Sequence, residues 1–177
     1  MSAVTHFQYM AKYNLRLNTQ VYEAAGQLSD DEFTADVGAF FKSVLGTLNH
    51  ILVGDLLWLN RFATIKSFSS LQALKHFPKP TSLDQVLFED FKQLKRIRVE
   101  LDTLIHEWLH TNACDTDFQQ NLTYKNSKGE VATKDFAELL HHFFNHQTHH
   151  RGQVSTLLNQ KGIDVGVTDF VVDVKAI

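Results

Sequence analysis

The chain has 177 residues, of which 44% are apolar and fourteen are Phe, so it can bury a sizeable core, which argues against intrinsic disorder. Its formal charge of -3 provides no positive field for nucleic acid or an anionic membrane, so we expect neither as a partner. The longest uncharged apolar stretch, residues 44–54, is too short to cross a bilayer, and the single Cys is typical of a reducing cytoplasm, where we expect the protein to act.

Hydrophobic periodicity predicts helices in the N-terminal third of the chain. Apolar side chains recur at helical spacing over residues 5–25, which predicts the first long helix. SDDE at residues 29–32 has the form of a capping box and predicts a short helical turn. A second long helix is predicted over residues 39–63. Because this helix is apolar on two opposite sides, we expect its own bundle to cover one side and a second subunit of a homodimer to cover the other.

The middle of the chain is predicted to hold a third helix followed by a β-hairpin. A second capping-box pattern, Ser82 with Gln85, predicts where this helix begins, and its apolar seam continues to residue 109. Residues 121–133 alternate between apolar and polar, break at residues 126–129 and then alternate again. This pattern is typical of two short strands joined by a turn.

The last long helix is predicted to begin with Thr133 as its cap and to run to residue 160, with Gly162 as its stop. Residues 166–177 are predicted to form one extended segment. Four long helices, one long connection between the second and third, and a hairpin before the last predict an all-α four-helix bundle. The length fits a single domain over residues 1–177.

Histidines are concentrated in the last helix, where HHFFNHQTHHRGQ at residues 141–153 holds five of the chain's ten. On a helical wheel, His146 and His150 fall on the core-facing side, whereas His142 and His149 lie at its edges. Imidazoles inside a bundle need a hydrogen bond or a metal, because an unpaired buried polar group is unfavourable. The i, i+4 spacing lets both rings reach one ion.

A third ligand is available in the second helix. His50 shares its face with small side chains that would leave space around the ring: Ser43, Gly46, Thr47 and Gly54. The alternative is that the small residues only permit close helix packing and that His50 is a hydrogen-bonded core residue. Asp55 lies about 140° from His50 on the wheel, so we expect it to pair with a basic group such as Arg151 rather than to bind metal.

Other polar side chains are assigned supporting or unrelated roles. His106 and His110 have the same i, i+4 spacing as His146 and His150. Because a chain with this many histidines contains such pairs by chance, we interpret His106 and His110 as a solvated or capping pair. Gln153 falls on the ligand side of the last helix, so it and His149 are candidates to support the ligands by hydrogen bonding. Asn14 is a third candidate, unless it only ties helices together.

Three segments carry a resemblance to a known family: SVLGTLNHILVGDLLWLNRF at residues 43–62, the hairpin with Gly129, and HHFFNHQTHHRGQV at residues 141–154. They resemble the DinB/YfiT-like superfamily of metal-binding four-helix bundles. The resemblance implies an up-down-down-up bundle, frequent homodimers, and a divalent metal bound by one His of the second helix and an H-x-x-x-H pair of the last. The corresponding residues of this chain are His50, His146 and His150.

Three neutral His ligands leave one or more coordination positions open, as in catalytic zinc sites, so a bound water or thiol would become a nucleophile at neutral pH. We expect zinc or nickel, with iron and manganese left open because imidazole discriminates poorly among these metals. The superfamily includes thiol-dependent S-transferases and a maleylpyruvate isomerase. The resemblance therefore implies metal-dependent transfer of a low-molecular-weight thiol to a small electrophile, or a metal-assisted hydrolysis. The alternatives are a non-catalytic, metal-stabilised, stress-related dimer and a sensor.

Overall fold

Five α-helices and one β-hairpin form the main secondary structure in a computed structural model of the chain, which describes residues 1–174 and 176. The helices are α1 (Ala3–Ala25), α2 (Asp30–Thr34), α3 (Val44–Phe62), α4 (Phe91–Glu107) and α5 (Phe136–Gln160). Strands β1 (Asn121–Lys125) and β2 (Val131–Asp135) pair antiparallel. Short 3₁₀ turns cover Ser70–His76, Asp115–Gln119 and Phe170–Asp173, and a π-helical turn, Trp108–Asn112, follows α4. The predicted fold class, a helical bundle with a hairpin before the last long helix, is confirmed.

The four long helices run up, down, down and up in chain order. Contacts between the helices show these directions. Between α1 and α4, Asn14 contacts Asp102 and Tyr22 contacts Phe91. Between α3 and α5, Phe62 contacts Phe136 and His50 contacts His150. Between α1 and α5, Phe7 contacts Phe144 and Asn14 contacts Arg151. α5 is therefore parallel to α1 and antiparallel to α3. This order makes α3 and α5 neighbours, so their histidines can meet.

Large aromatic side chains fix the position of α3 against α5. Phe62 lies edge-to-face on Phe136 and Phe143, with ring centroids 5.3 and 5.7 Å apart, and stacks on Trp108 at 5.9 Å. All four rings are fully buried. Burial of rings of this size is the main favourable contribution to such packing, and it holds the two helices in one register.

A buried ion-pair cluster joins α3 to α4. Arg98 donates to Asp55 at 2.5 Å and to Asp102 at 2.7 Å. Although burial favours its neutral form, Asp102 and Asp55 raise the pKa of Arg98, so the guanidinium stays charged. Asp55 pairs with a basic group, as predicted, but this group is Arg98 of α4 and not the suggested Arg151, because the wheel gave the face of Asp55 on α3 but not the helix that this face meets.

The same buried layer continues into α1 and α5. Asn18 donates to Asp102 at 2.9 Å, and Arg151 donates to the side-chain oxygens of Asn18, at 3.1 Å, and of Asn14. Burial lowers the pKa of Arg151 to about 10, which leaves it charged at neutral pH. Polar side chains therefore cross-link all four long helices.

The start of α3 lies five residues after the predicted start at residue 39. Lys42 has a φ of 67°, which is outside the helical region, and Ser43 caps the helix by accepting a hydrogen bond from the backbone N–H of Gly46 at 3.0 Å. A Cβ on Gly46 would lie 2.0 Å from the carbonyl oxygen of Phe41. The tight turn therefore requires glycine at position 46.

The predicted capping box of Ser82 and Gln85 does not begin a helix. The cap of α4 is Asp90, eight residues after Ser82, and its side chain accepts a hydrogen bond from the first turn of the helix. Asn49 of α3 explains the delay, because its side chain accepts from the backbone N–H of Phe88 at 3.0 Å and donates to the carbonyl of the same residue at 2.9 Å. These backbone groups are thereby taken out of any helix.

The C-terminal part of the chain departs from prediction at two points. Thr133 lies in β2, and Asp135 caps α5 instead, because the hairpin continues two residues further than predicted. Gly162, with a φ of 75°, follows the helix end as predicted. The tail is not one extended segment, since Phe170–Asp173 is a 3₁₀ turn whose last residue pairs with Arg16 at 2.8 Å. Lys175 and Ile177 of the predicted tail lie outside the described residues.

Both apolar sides of α3 are covered by the chain itself. Leu52, Val53 and Leu56 are fully buried, and the connection from α3 to α4 packs on the helix through its 3₁₀ turn and through Asn49. The pattern that predicted a second subunit therefore has an intrachain explanation, and the homodimer stays a prediction from the resemblance alone. Over the part of the chain that the structure describes, no helix is both long and apolar enough to span a membrane.

Candidate metal centre

Three imidazole rings converge between α3 and α5. His50 comes from α3, and His146 and His150 lie one turn apart on α5. One ring nitrogen of each lies within 4.8 Å of the others, and Nε2 of His50 is 3.1 Å from Nε2 of His146. His50 and His150 are buried, and His146 is partly exposed. The structure thus brings together the three residues that the sequence singled out.

Hydrogen bonds behind two of the rings set their orientation. The Nδ1–H of His50 donates to the carbonyl oxygen of Leu83 at 2.8 Å, and the Nδ1–H of His150 donates to Oε1 of Gln153 at 2.8 Å. Because both partners accept hydrogen bonds, Nε2 of each ring is left unprotonated. The Gln153 amide in turn donates to Nε2 of His149 at 3.2 Å.

Two of the three predicted supporting residues, Gln153 and His149, therefore lie next to a ring of the cluster. Asn14 is placed differently. Its hydrogen bonds run to Arg151 and Asp102 in the buried layer, and within the described residues none joins it to the three histidines. Its observed contacts tie helices together.

Packing around His50 and His146 leaves little freedom for their rings. Phe41 stacks on His50 with ring centroids 3.8 Å apart and planes 17° apart. On the other side, Gly54 allows the His146 ring to approach α3 closely, since a Cβ on Gly54 would lie 2.8 Å from Cε1 of that ring. Gly54 therefore makes room for the ring of His146, whereas the wheel predicted that it would leave space around His50.

Electrostatics keep the cluster in the form that binds metals. Burial, together with His150 and His50, lowers the pKa of His146 to about 3. Burial also lowers the pKa values of His50 and His150. The hydrogen bonds of these rings to Leu83 and Gln153 act in the opposite direction but are outweighed by burial. All three rings are therefore neutral near pH 7, which is the state in which imidazole ligates a metal.

The donor set fits one divalent transition metal. Two nitrogens bound tetrahedrally at about 2.0–2.1 Å from zinc stand roughly 3.3 Å apart, close to the 3.1 Å between His50 and His146. A hydrogen on His146 would also account for that distance but would leave the free nitrogen of His150 without a partner in the cluster, whereas one cation would bind all three nitrogens. No carboxylate among the described residues belongs to the group, so the site favours metals that imidazole prefers over magnesium or calcium.

The cluster is open to solvent on one side. A cleft of about 250 Å³ is bordered by His50 and His146 and extends along α3 past Trp58 to Arg61. The hairpin, through Tyr124, forms its opposite wall. A second groove, of about 630 Å³, reaches His50 from the turn that precedes α3. A ligand can therefore reach the position between the rings.

Sequence reasoning missed several residues of this site. The carbonyl of Leu83 and the ring of Phe41 come from segments that were assigned to helices, so no periodic pattern places them beside His50. Trp58, a large aromatic residue of the kind usually found in a core, lines the cleft. The i, i+4, i+8, i+11 spacing of His50, Gly54, Trp58 and Arg61 was the available signal, because it describes one helix face.

His106 and His110 behave as the chance pair that the sequence predicted. The Nδ1–H of His110 donates to the carbonyl oxygen of His106 at 2.8 Å, and the two rings stack on each other with centroids 3.8 Å apart. His110 is exposed. The pair thus satisfies itself at the end of α4 and offers a matched control for the cluster.

Replacing Gly54 with Ala is expected to weaken zinc binding about ten- to hundredfold, because the added methyl group displaces the His146 ring. The measurement is zinc affinity by competition with a chromophoric chelator. Gly152, where a Cβ meets nothing within 4 Å, is the control. Gly152→Ala should leave zinc affinity unchanged and raise the free energy of unfolding by up to about 1 kcal/mol. Equal zinc affinity in Gly54→Ala and the unmodified chain would contradict the close approach of His146 to α3.

The chain is similar to known proteins over nearly its whole length. A model of the DinB family matches residues 1–176. The chain is also similar to Protein DinB of Bacillus subtilis (strain 168), with 24% identity over 159 residues that cover 90% of this chain and 88% of that protein. The family match includes the hairpin and both helices that carry the cluster. The chain belongs to the DinB family.

Proposed function

We propose that this DinB-family protein is a metal-dependent enzyme that transfers a low-molecular-weight thiol to a small electrophile in the cytoplasm. Its metal ligands are His50, His146 and His150, and zinc or nickel suits three imidazoles best. Family membership and the converging rings are both compatible with metal binding. The observation that carries the catalytic part is the cleft beside the rings, because a purely structural ion needs no access from solvent.

A bound divalent metal would supply a cationic site that holds an incoming thiol as its thiolate. The residues of the chain bind and orient. Leu83 and Gln153 hold two rings in their tautomers, and Phe41 covers one face of His50 and excludes water there. Trp58 and Tyr124, whose rings lie 5.2 Å apart, give the cleft aromatic walls against which an apolar substrate can pack.

The test is metal-dependent loss of free thiol. Chelator-treated protein is reconstituted with zinc, nickel, iron or manganese and mixed with several thiols and 1-chloro-2,4-dinitrobenzene. We expect at least one metal to raise the rate about tenfold or more over the metal-free protein, and His50→Ala to remove the increase. A rate equal to the metal-free control with every thiol would contradict thiol transfer. Hydrolysis of p-nitrophenyl acetate by the same samples tests a metal-assisted hydrolase.

A non-catalytic role has one observation in its favour. The three histidines come from two helices, so an ion would cross-link α3 to α5 and stabilise the bundle. In that case, stripping the metal should lower the melting temperature sharply while no thiol or ester substrate turns over. Size-exclusion chromatography with and without metal tests the homodimer that the resemblance implies.

A further inference from the structure

We propose that Arg61 binds the carboxylate of the thiol substrate, so that the cleft selects acidic thiols. This inference rests on the proposed thiol transfer, since it names the chemical class that would occupy the same cleft. Its basis is a juxtaposition: a guanidinium at one end of the cleft and the three-histidine cluster at the other.

Arg61 is held rigidly at the cleft. Its Cζ lies 4.6 Å from the ring centroid of Trp58 and 5.0 Å from that of Tyr124, and one Nη donates to the backbone carbonyl of Lys125 at 3.1 Å. Contact with both aromatic rings and the hydrogen bond to Lys125 restrict the guanidinium and reduce the entropy that a ligand would otherwise have to remove. A preorganised guanidinium of this kind suits bidentate recognition of a carboxylate.

Arg61 has no carboxylate partner within 4.0 Å among the residues that the structure describes. Of the other three buried or partly buried arginines of the long helices, Arg98 and Arg16 pair with Asp side chains, and Arg151 donates to the side-chain oxygens of Asn14 and Asn18. Arg61 is also partly buried, and burial lowers its pKa, so a ligand carboxylate would meet a weakly hydrated cation. Donors other than the one engaged with Lys125 are available for it.

The charge of the cleft favours an anion. Arg61 is the single formally charged side chain among its described lining residues, which include no Asp or Glu. Neutral groups make up the remainder, with Trp58, Tyr124 and Leu57 as the apolar part. A negatively charged ligand is therefore attracted to the cleft and meets no like charge on its walls.

Helix geometry sets the length of the ligand. His50 and Arg61 are eleven residues apart on one face of α3, which corresponds to about 16 Å along the axis. Helical side chains lean toward the N-terminus, which shifts His50 and Arg61 in the same direction, so roughly 16 Å also separates the cluster from the guanidinium. A metal–sulfur bond of about 2.3 Å and a charge-assisted hydrogen bond of about 2.8 Å would take up about 5 Å of this separation. An extended chain of about eight carbons between a thiol and a carboxylate spans the remaining distance of roughly 11 Å.

The test uses cobalt-loaded protein and two matched thiols, 8-mercaptooctanoic acid and 8-mercaptooctan-1-ol. Binding is followed by the sulfur-to-cobalt charge-transfer absorption. We expect the acid to bind about tenfold more tightly than the alcohol, because it alone adds a charge-assisted contact with Arg61. With 3-mercaptopropionate, which is too short to reach both groups, the preference over 2-mercaptoethanol should vanish.

Arg61→Met keeps the apolar stem of the side chain and should lower the affinity for the long acid about tenfold while the affinity for the alcohol stays unchanged. Arg61→Lys should restore part of the preference. Arg96→Met removes an exposed arginine of α4 and is the control, which should keep the full preference. A purely structural role for Arg61 would lower stability without changing the ratio of acid to alcohol affinity.

A second readout needs no metal. Octanoate should bind chelator-treated wild-type protein and not Arg61→Met, as judged by chemical-shift changes of the Trp58 indole. Equal affinity of acid and alcohol in the wild type, or a preference that persists in Arg61→Met, would overturn the inference and leave thiol binding intact. If neither thiol perturbs the cobalt spectrum, the proposed function fails, and octanoate binding alone then decides whether the carboxylate site stands.

Discussion

His150→Ala is expected to weaken zinc binding on the order of a thousandfold, because one of three neutral nitrogen ligands is lost and Gln153 is left without the ring that it orients. The free energy of binding a structural zinc is roughly 10–16 kcal/mol in small zinc domains, so one ligand accounts for a large part of it. The measurement is zinc affinity by chelator competition, together with elemental analysis of the purified variant.

His106→Ala is the control for this variant. It breaks an H-x-x-x-H pair with the same spacing on another helix, yet that pair satisfies itself by a hydrogen bond and stacking. It should retain a full equivalent of metal. His149→Ala removes only the hydrogen-bond partner of Gln153 and should lower the zinc affinity about tenfold. A full equivalent of metal in His150→Ala would rule out the ligand assignment.

Asp55→Ala is expected to lower the free energy of unfolding by about 3–5 kcal/mol. The cause is the guanidinium of Arg98, which stays charged and buried with Asp102 as its remaining carboxylate partner. Urea denaturation followed by circular dichroism measures the loss. Asp55→Asn, which keeps an oxygen that can accept from Arg98, should lose less and provides a folded sample if the Ala variant does not fold.

Glu100→Ala is the matched control for the buried pair, because it breaks an ion pair with Arg96 at 3.3 Å that is exposed to solvent. Its cost should be under about 1 kcal/mol, since water screens such pairs. Equal, small losses in Asp55→Ala and Glu100→Ala would show that the buried cluster contributes no more than a surface pair.

The helices that could be predicted from sequence are those whose apolar periodicity is uninterrupted. α1 and α5 follow such stripes to within a few residues, and the hairpin follows its alternation. Helix starts were predicted less well, because a capping residue competes with tertiary contacts that a single sequence does not reveal. Asn49 binding the backbone of Phe88 is one such contact, and the turn at Lys42 is another.

His146 and His150 could be predicted because their helical spacing and shared face are properties of the sequence, whereas His50, on another helix, was assigned from the small residues on its face and from the resemblance to the superfamily. The groups that form hydrogen bonds with these rings could be predicted only where they follow helical spacing. Gln153 is three residues from His150 on one helix and was found, whereas Leu83 acts through a backbone carbonyl that any residue supplies and was not. The partner of Asp55 depended on which helices are neighbours, which a helical wheel does not contain.

X-ray absorption at the zinc K edge, recorded for the zinc-loaded protein before and after addition of 2-mercaptoethanol, tests the central claim most directly. We expect three imidazole nitrogens and a replaceable oxygen ligand before addition, and one sulfur at about 2.3 Å in place of that oxygen afterwards. Fewer than three imidazoles, or a ligand shell that the thiol leaves unchanged, would contradict an open three-histidine site beside the cleft.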